Sequence, residues 1–443
     1  MNRAKTSLME AYLIPVWEKV SQQRHLAAIR NGLTVMIPMT IIGGISCILA
    51  VPPVPSTITE PSNFFYFFLL VWKNWAAAHV SVLSLPYYLT IGIISIYVAA
   101  GIACQLARSY HMDIINNVLS TLLVFLCVSN IVDFDTGSLA IERLGANYMF
   151  GAMVIALLVV EINHFFIKRN IIIKLPDSIP PNITAPFNML IPLTFNVVVF
   201  IFINSFCTSL TGDSLTGLIF SIFQPLMKVT GSLPSVLLIN FIITTFWFFG
   251  IHGPNMVGVV TIPVTTAALA ANMEAYATGT QMQYIFAGNV NSVFGNWITY
   301  HAILLVIFTV CKSSRLKSIA KLAIIPSIFN INEPCIFGVP TVLNLYTYIP
   351  ILICNILNFS TYYLLASAEI LGKFYMSLPF TVPGPIAASL AAMDIKNGIL
   401  WVALLGVNYM ITLPFIKIYD NKMIAVERDS QRDETIYCNS DLI

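Results

Sequence analysis

Long apolar runs recur along the whole chain, and nothing else in the sequence limits its fold as strongly. They fall at 33–51, 87–107, 114–131, 148–166, 187–207, 233–250, 297–310, 342–366 and 399–416. Most reach roughly 18 residues, the length that carries a helix through a ~30 Å hydrocarbon layer. In lipid every backbone amide and carbonyl must find its partner within the segment, so such runs fold as helices. A β-barrel would need strands of about ten residues with alternating polarity, and these runs are solidly apolar. Only 9% of the 443 residues are charged, against about 25% in soluble domains. The expected fold is an all-α polytopic membrane protein with roughly eight to eleven passes and about ten as the central figure. A shorter aromatic run at 64–71 reads as interfacial or as part of another crossing.

The placement of charge orients the chain. Lys and Arg gather at Lys5, Lys19, Arg24 and Arg30, at Lys168, Arg169 and Lys174, at Lys312, Arg315, Lys317 and Lys321, and at Lys417 and Lys422. The segment 132–147 holds Asp133, Asp135 and Glu142 with a single Arg. By the positive-inside rule both termini and the basic clusters face the cytoplasm. A cleavable signal peptide is not expected, because mostly polar residues precede the first apolar run. The basic residues flank membrane segments, so nucleic acid is not an expected partner. The eight cysteines are scattered without a CxxC pair, so neither a disulfide framework nor a metal site is expected. Nor is there a P-loop or a dinucleotide fingerprint, and no cofactor is expected.

The two halves differ in texture. A cytoplasmic segment at 1–30 leads into ordinary spans over 31–175, which read as scaffold. The passage "IIIKLPDSIPPNITAPF" (171–187) breaks the pattern with prolines. Beyond it, 176–416 contains apolar segments that Gly, Pro or polar residues interrupt, at 256–271, 323–340 and 378–393. Interrupted segments of this kind are expected where re-entrant backbone lines a buried cavity. That part therefore reads as the working half, followed by a cytoplasmic tail at 417–443 with no fold of its own. The stretch "KSSRLKSIAKL" (312–322) puts Leu316, Ile319 and Ala320 on one face and basic residues opposite. It reads as an interfacial anchor, or as the edge of a docking surface for a cytoplasmic partner.

Two places carry the chemistry. Glu333, in "SIFNINEPCIFGVP", is the only formal charge between Leu322 and Ala368. A mid-membrane carboxylate costs about 2.5–3.5 kcal/mol or more, so it usually faces a polar cavity. Glu333 is either a neutral structural hydrogen bonder or the acceptor of a solute hydroxyl's proton. Asn330 and Asn332 place donors and acceptors beside it, and Pro334 breaks the helix. The second place is His252 in "FFGIHGPNMVG", where Gly250 and Gly253 allow tight backbone and Pro254 and Asn255 follow. A lone intramembrane His serves equally well as an interhelical hydrogen bonder. Apart from Tyr and Cys, Glu274 and His301 are the other ionisable groups between Gly231 and Cys311. His301 sits in an unbroken span and reads as structural. Asn182, after Pro-Pro, reads by default as a turn residue. Arg24, His25 and Arg30 read as a cytoplasmic anchor.

The stretches "SQQRHLAAIRNGLTVMIPMTIIG", "LARSYHMDIINNVLSTLLVFL", "VVEINHFFIKRNIIIKLPDSIPPNI", "FFGIHGPNMVGVV" and "KLAIIPSIFNINEPCIFGVPTVLN" together resemble enzyme IIC of the lactose/cellobiose class of bacterial sugar phosphotransferase systems. The resemblance covers roughly residues 15 to 422. It implies about ten passes, two re-entrant hairpins in a carboxy-terminal transport domain, and a homodimer formed by the amino-terminal helices in the bacterial cell membrane. It further implies that a β-linked disaccharide or related glycoside enters from outside, and that a phosphocysteine on enzyme IIB phosphorylates its C6 hydroxyl. The 27 residues after Ile416 hold no such domain, so the expected donor is a separate enzyme IIB. The family's sugar-contacting histidine and glutamate correspond to His252 and Glu333, with Asn332 and Asn182 at neighbouring ligand positions and Gly253 and Asn255 in the same histidine motif. Glu333 is the implied partner of the hydroxyl that becomes phosphorylated.

Two departures bear on the substrate. Gly384, in "TVPGPIAAS", stands where the family typically carries a tryptophan beside the sugar, which is expected to weaken or reshape one subsite. The family's Gly-Ser-Gly stretch is replaced by "VFGNWITYHAIL" (293–304). Two other readings remain open on the residues alone: a proton-coupled sugar symporter with Glu333 as proton carrier, and a non-transporting sugar sensor.

Overall fold

The computed structural model describes residues 23–52, 60, 64–134, 136–176, 180–339 and 343–440. Most of the expected amino-terminal segment, including Lys5 and Lys19, lies outside the described residues, as does Asp135. Among the described residues the fold is helical, with a single isolated β-bridge between Val132 and Leu139. By length and composition seven helices among the described residues can cross a membrane, or up to nine if each of two sharply bent pairs is one span. One bent pair is Phe67–Ala78 with Val80–Tyr88, bent by 86°, so most of the aromatic run at 64–71 belongs to a bent helix pair. Ile94–Ser109 and Ile114–Val128 are shorter apolar helices.

The chain divides into two units. The first comprises residues up to Thr230 with Gly258–Ala287 and Tyr375–Ser377; the second comprises Gly231–Val257, Gly288–Phe374 and everything from Leu378.

Within the first unit, Arg24–Thr34 lies against Ile94–Ser109 with backbones in contact. A Cβ on Gly32 would sit 2.7 Å from the Ile102 amide nitrogen, and one on Gly101 would sit 2.8 Å from the Gly32 carbonyl oxygen. Small residues permit this approach, which is how helices gain packing energy where lipid supplies no hydrophobic drive. Asparagines bind the next layer. Asn196 donates to Asn163 at 2.8 Å, Asn163 donates to Asn117 at 3.0 Å, and all three are fully buried. Such interhelical bonds contribute about 0.6 kcal/mol each. The anchor residue His25 pairs with Glu161 at 2.7 Å, and Tyr110 donates to the same carboxylate oxygen. Pro181–Thr211 turns Val198, Phe202 and Phe206 outward at 62, 73 and 58% exposure, as a lipid-facing surface requires. Asn182 lies in the first turn of this helix and not in a loop, because Pro181 fills the first helical position, where no amide donor is needed.

Within the second unit, Asn296–Val310 packs along Ile395–Ser440. Asn408 donates to Thr299 at 3.4 Å, and the Thr309 and Tyr409 hydroxyls meet at 2.9 Å. The basic helix Ser314–Ile328 is capped by the Ser313 hydroxyl, which accepts from Leu316 N at 3.2 Å, and its start is held by the last helix. Asp420 accepts from the Lys312 and Ser313 amides, both at 2.9 Å, and Glu427 accepts from the Ser313 hydroxyl and the Arg315 amide. Leu316 and Ala320 are buried on its inner face, as the amphipathic pattern predicts.

Two expectations change. The segment 256–271 was expected to be broken by Gly258 and Pro263, yet it lies inside the continuous helix Gly253–Ala277. One proline removes one amide donor, and the helix gains turns at both ends by recruiting Gly253–Asn255 and Asn272–Ala277. The tail is not structureless either: the last helix runs through the expected boundary at 416 to Ser440. Asp420 and Glu427 face a helix start from it, so its polar residues have partners that the tail's composition does not reveal.

Candidate functional site

Both chemistry-bearing motifs fall in the second unit. Ser314–Ile328 ends in a tight reversal, and Glu333–Gly338 then begins with Asn332 as its cap and Pro334 in its first turn. Asn330 makes this reversal possible. It adopts a left-handed backbone, φ 62°, which Asn tolerates better than other side-chain-bearing residues. Its amide nitrogen donates to two carbonyls, Phe380 O at 2.7 Å and Val382 O at 2.6 Å. The tip carrying Glu333 is therefore tied to the interrupted segment some fifty residues later in the chain.

Asn332 is buried and committed locally: its carbonyl oxygen accepts from the Ser327 hydroxyl at 2.7 Å and its nitrogen donates to Asn330 O at 3.2 Å. Both amides thus build the turn from which the helix beginning at Glu333 starts. The Glu333 backbone starts the short helix, while its side chain lies outside the described residues. His301 is part of the same frame. Its Nδ1 meets Trp297 O at 2.5 Å, the ring bonds the Ser327 backbone, and its edge faces Trp401. This is the structural role read from its unbroken span.

His252 sits at a second reversal, between Gly250 at φ 79° and the start of Gly253–Ala277. Its Nδ1 accepts from the Asn255 amide at 3.3 Å. With Nδ1 an acceptor, the neutral ring carries its proton on Nε2 and can donate to a solute. The ring leans on Trp247 with centroids 4.6 Å apart. Only glycine fits at 253, because a Cβ there would lie 2.3 Å from the Ile243 carbonyl oxygen. The His252 turn and the segment after the glutamate tip are stitched together. Leu343 N donates to Phe248 O at 2.8 Å, and the Tyr348 hydroxyl meets Thr245 at 2.9 Å while its ring packs on Phe248. Asn182 belongs to the first unit, and its side chain lies outside the described residues.

Gly384 has a partner that sequence reading missed. A Cβ there would lie 2.4 Å from Cζ2 of Trp401, whose buried indole donates to Val293 O at 3.0 Å. The space that a side chain at 384 would need is already filled by an indole from the last helix. The available signal was a tryptophan in an otherwise aliphatic span, "GILWVALLG".

Comparison with known proteins places these features among relatives. Residues 30–354 match the family "Phosphotransferase system, EIIC". An oligo-beta-mannoside-specific EIIC component of Bacillus subtilis (strain 168) is 28% identical over 96% of both chains. A lactose-specific EIICB component of Staphylococcus haemolyticus (strain JCSC1435) is 29% identical over 94% of this chain and 71% of its own length. Among solved structures, the transporter ChbC, the IIC component from the N,N′-diacetylchitobiose-specific phosphotransferase system, superposes with a TM-score of 0.84. It is 28% identical, and the match covers 95% of this chain and 99% of that one.

Proposed function

Because the chain belongs to the EIIC family of the phosphotransferase system, we propose that it carries a β-linked disaccharide or oligosaccharide and presents the sugar's C6 hydroxyl to enzyme IIB. The relatives' names support the sugar class: oligo-beta-mannoside, lactose and N,N′-diacetylchitobiose. The observation that carries the reading is the tip itself. Asn330 and Asn332 lock a reversal whose first helical residue is Glu333, and the segment that follows is bonded to the His252 helix end.

In this reading His252 donates from Nε2 to a sugar oxygen and fixes the ring. Glu333 accepts the C6 hydroxyl's hydrogen bond and takes its proton as that oxygen attacks phosphorus. The phosphorus–sulfur bond to the IIB cysteine breaks, and the thiolate leaves. Asn332 acts by shaping the tip, and Gly253 and Asn255 by holding the His252 turn. Asn182 is a further sugar contact in the proposed set. The protein works as a homodimer in the bacterial cell membrane with both termini cytoplasmic, and the EIICB name of the lactose relative fits a IIB partner.

Glu333→Gln in vesicles supplied with IIB tests the reading. Phosphorylation is expected to vanish while sugar binding survives. Wild-type turnover by this variant would remove the carboxylate from the mechanism. Uptake of unmodified sugar that an uncoupler abolishes and phosphoenolpyruvate leaves unchanged would point instead to a proton symporter.

A further inference from the structure

Glu274 has no part in the mechanism above, and its surroundings are unusual. It is a half-buried carboxylate near the end of Gly253–Ala277, in the first unit. Among the described residues no side chain or amide donates to it and no cation pairs with it. Desolvating a carboxylate without compensation is costly, so such a group takes up a proton or is completed by water or a bound solute. Glu274 also stands in the wall of two cavities. One, of about 280 Å³, is lined by amides and hydroxyls, among them Asn147, Gln224, Gln281, Gln283 and Thr280. The other, of about 310 Å³, is lined by Tyr87, Tyr88, Ile91, Ile141 and Glu142.

The amide-lined cavity is built deliberately. Asn272, itself in the wall, grips Tyr284 twice, donating to its carbonyl at 2.7 Å and accepting from its amide at 3.1 Å. This pair fixes the loop that carries Gln281 and Gln283. On the other side a Cβ on Gly145 would stand 3.9 Å from a Glu274 carboxylate oxygen, so the 132–147 segment approaches the acid closely. Tyr87 and Tyr88 meet edge to face, 5.3 Å between centroids.

We infer that the Glu274 cavities form an accessory binding site for a neutral, hydroxyl-rich solute, the glycoside itself, on the outward side of the first unit. The chemistry selects this class. Sugar hydroxyls both donate and accept, which matches primary amides, and they can complete a carboxylate that has only acceptors. Tyrosine rings offer flat apolar surface to a pyranose face. A metal ion fits poorly, because no group of three or more His, Cys, Asp or Glu among the described residues could hold one. The outward placement follows from the scarcity of Lys and Arg in the 132–147 segment, which contributes Ile141 and Glu142 to the wall. This inference takes the sugar class from the proposed function, while its residues differ from those of the glutamate tip.

The test uses the full chain in right-side-out vesicles with Thr280→Cys, an exposed position in the amide-lined cavity. Labelling by a membrane-impermeant maleimide is followed with lactose, cellobiose and N,N′-diacetylchitobiose as probes, against a chain lacking the new cysteine. At least one sugar is expected to slow labelling, and to do so equally with His252→Ala in the background. Adding Glu274→Gln should raise the half-protecting concentration about tenfold, by trading charge-assisted hydrogen bonds for neutral ones. A sugar that the vesicles phosphorylate but that never slows labelling overturns the inference alone. Protection lost with His252→Ala overturns it too, since the effect would then originate at the other motif. Protection accompanied by entry of unphosphorylated sugar would sustain this site while overturning the group-translocation reading.

Discussion

Asn330 is the most exacting test of how the glutamate is presented. Replacing it by alanine removes two hydrogen bonds, to Phe380 O and Val382 O, and forces alanine into φ 62°. The bonds are worth about 1 kcal/mol each net, and the left-handed backbone about 1–2 kcal/mol for a residue with a Cβ. Asn330→Ala should therefore destabilise the tip by about 3 kcal/mol, and Asn330→Gly, which keeps the backbone freedom, by about 2 kcal/mol. If phosphorylation requires the formed tip, kcat/KM falls roughly a hundredfold for alanine and roughly thirtyfold for glycine. Asn330→Asp, nearly isosteric, should do worst, since a carboxylate would face two carbonyl oxygens. The assay is IIB-dependent sugar phosphorylation in vesicles, with thermal unfolding in detergent as the control for global damage. Alanine and glycine variants that both work at the wild-type rate would refute the reasoning. So would a glycine variant worse than alanine, because the backbone argument requires the opposite order.

Three further outcomes follow from contacts in the second unit. His252→Ala should weaken sugar binding about tenfold, through loss of one hydrogen-bond donor to the sugar; unchanged affinity in equilibrium binding would exclude the ring from the site. Gly384→Ala should lower thermal stability by about 1–3 kcal/mol through overpacking against Trp401, and Trp401→Leu combined with it should recover part of the loss, visible as coupling in a double-mutant cycle. Asp420→Ala should cost about 1–2 kcal/mol, through loss of its hydrogen bonds to the Lys312 and Ser313 amides, and should raise proteolysis within 312–328; equal cleavage of variant and wild type would show that these bonds do not hold the helix start.

Much of the architecture was legible from residue order alone. Each span is long and apolar because lipid is its solvent, and that requirement acts on consecutive residues. The amphipathic face of 312–322 and the interruptions around 330 and 384 could be read for the same reason. Glu333 and His252 were conspicuous because charge is rare in such surroundings. Pro263 misled, since a proline marks a possible break, whereas neighbouring turns decide whether the helix continues. The tail misled as well: a polar segment is ambiguous until its partners are known, and the partners of Asp420 and Glu427 lie more than a hundred residues earlier.

What the sequence by itself determined is the solvent each segment needs and the chemical groups that stand out within it. Only the tertiary structure decided what those groups do with their bonds. Asn332, a ligand candidate by position, spends both amide atoms inside the tip; Gly384, a missing side chain by comparison, is a seat for Trp401; and Glu274, one ionisable group among several, proves to be without a partner among the described residues. Hydropathy sums over neighbours in the chain. A hydrogen bond or a steric contact depends on residues that folding alone brings within a few ångströms.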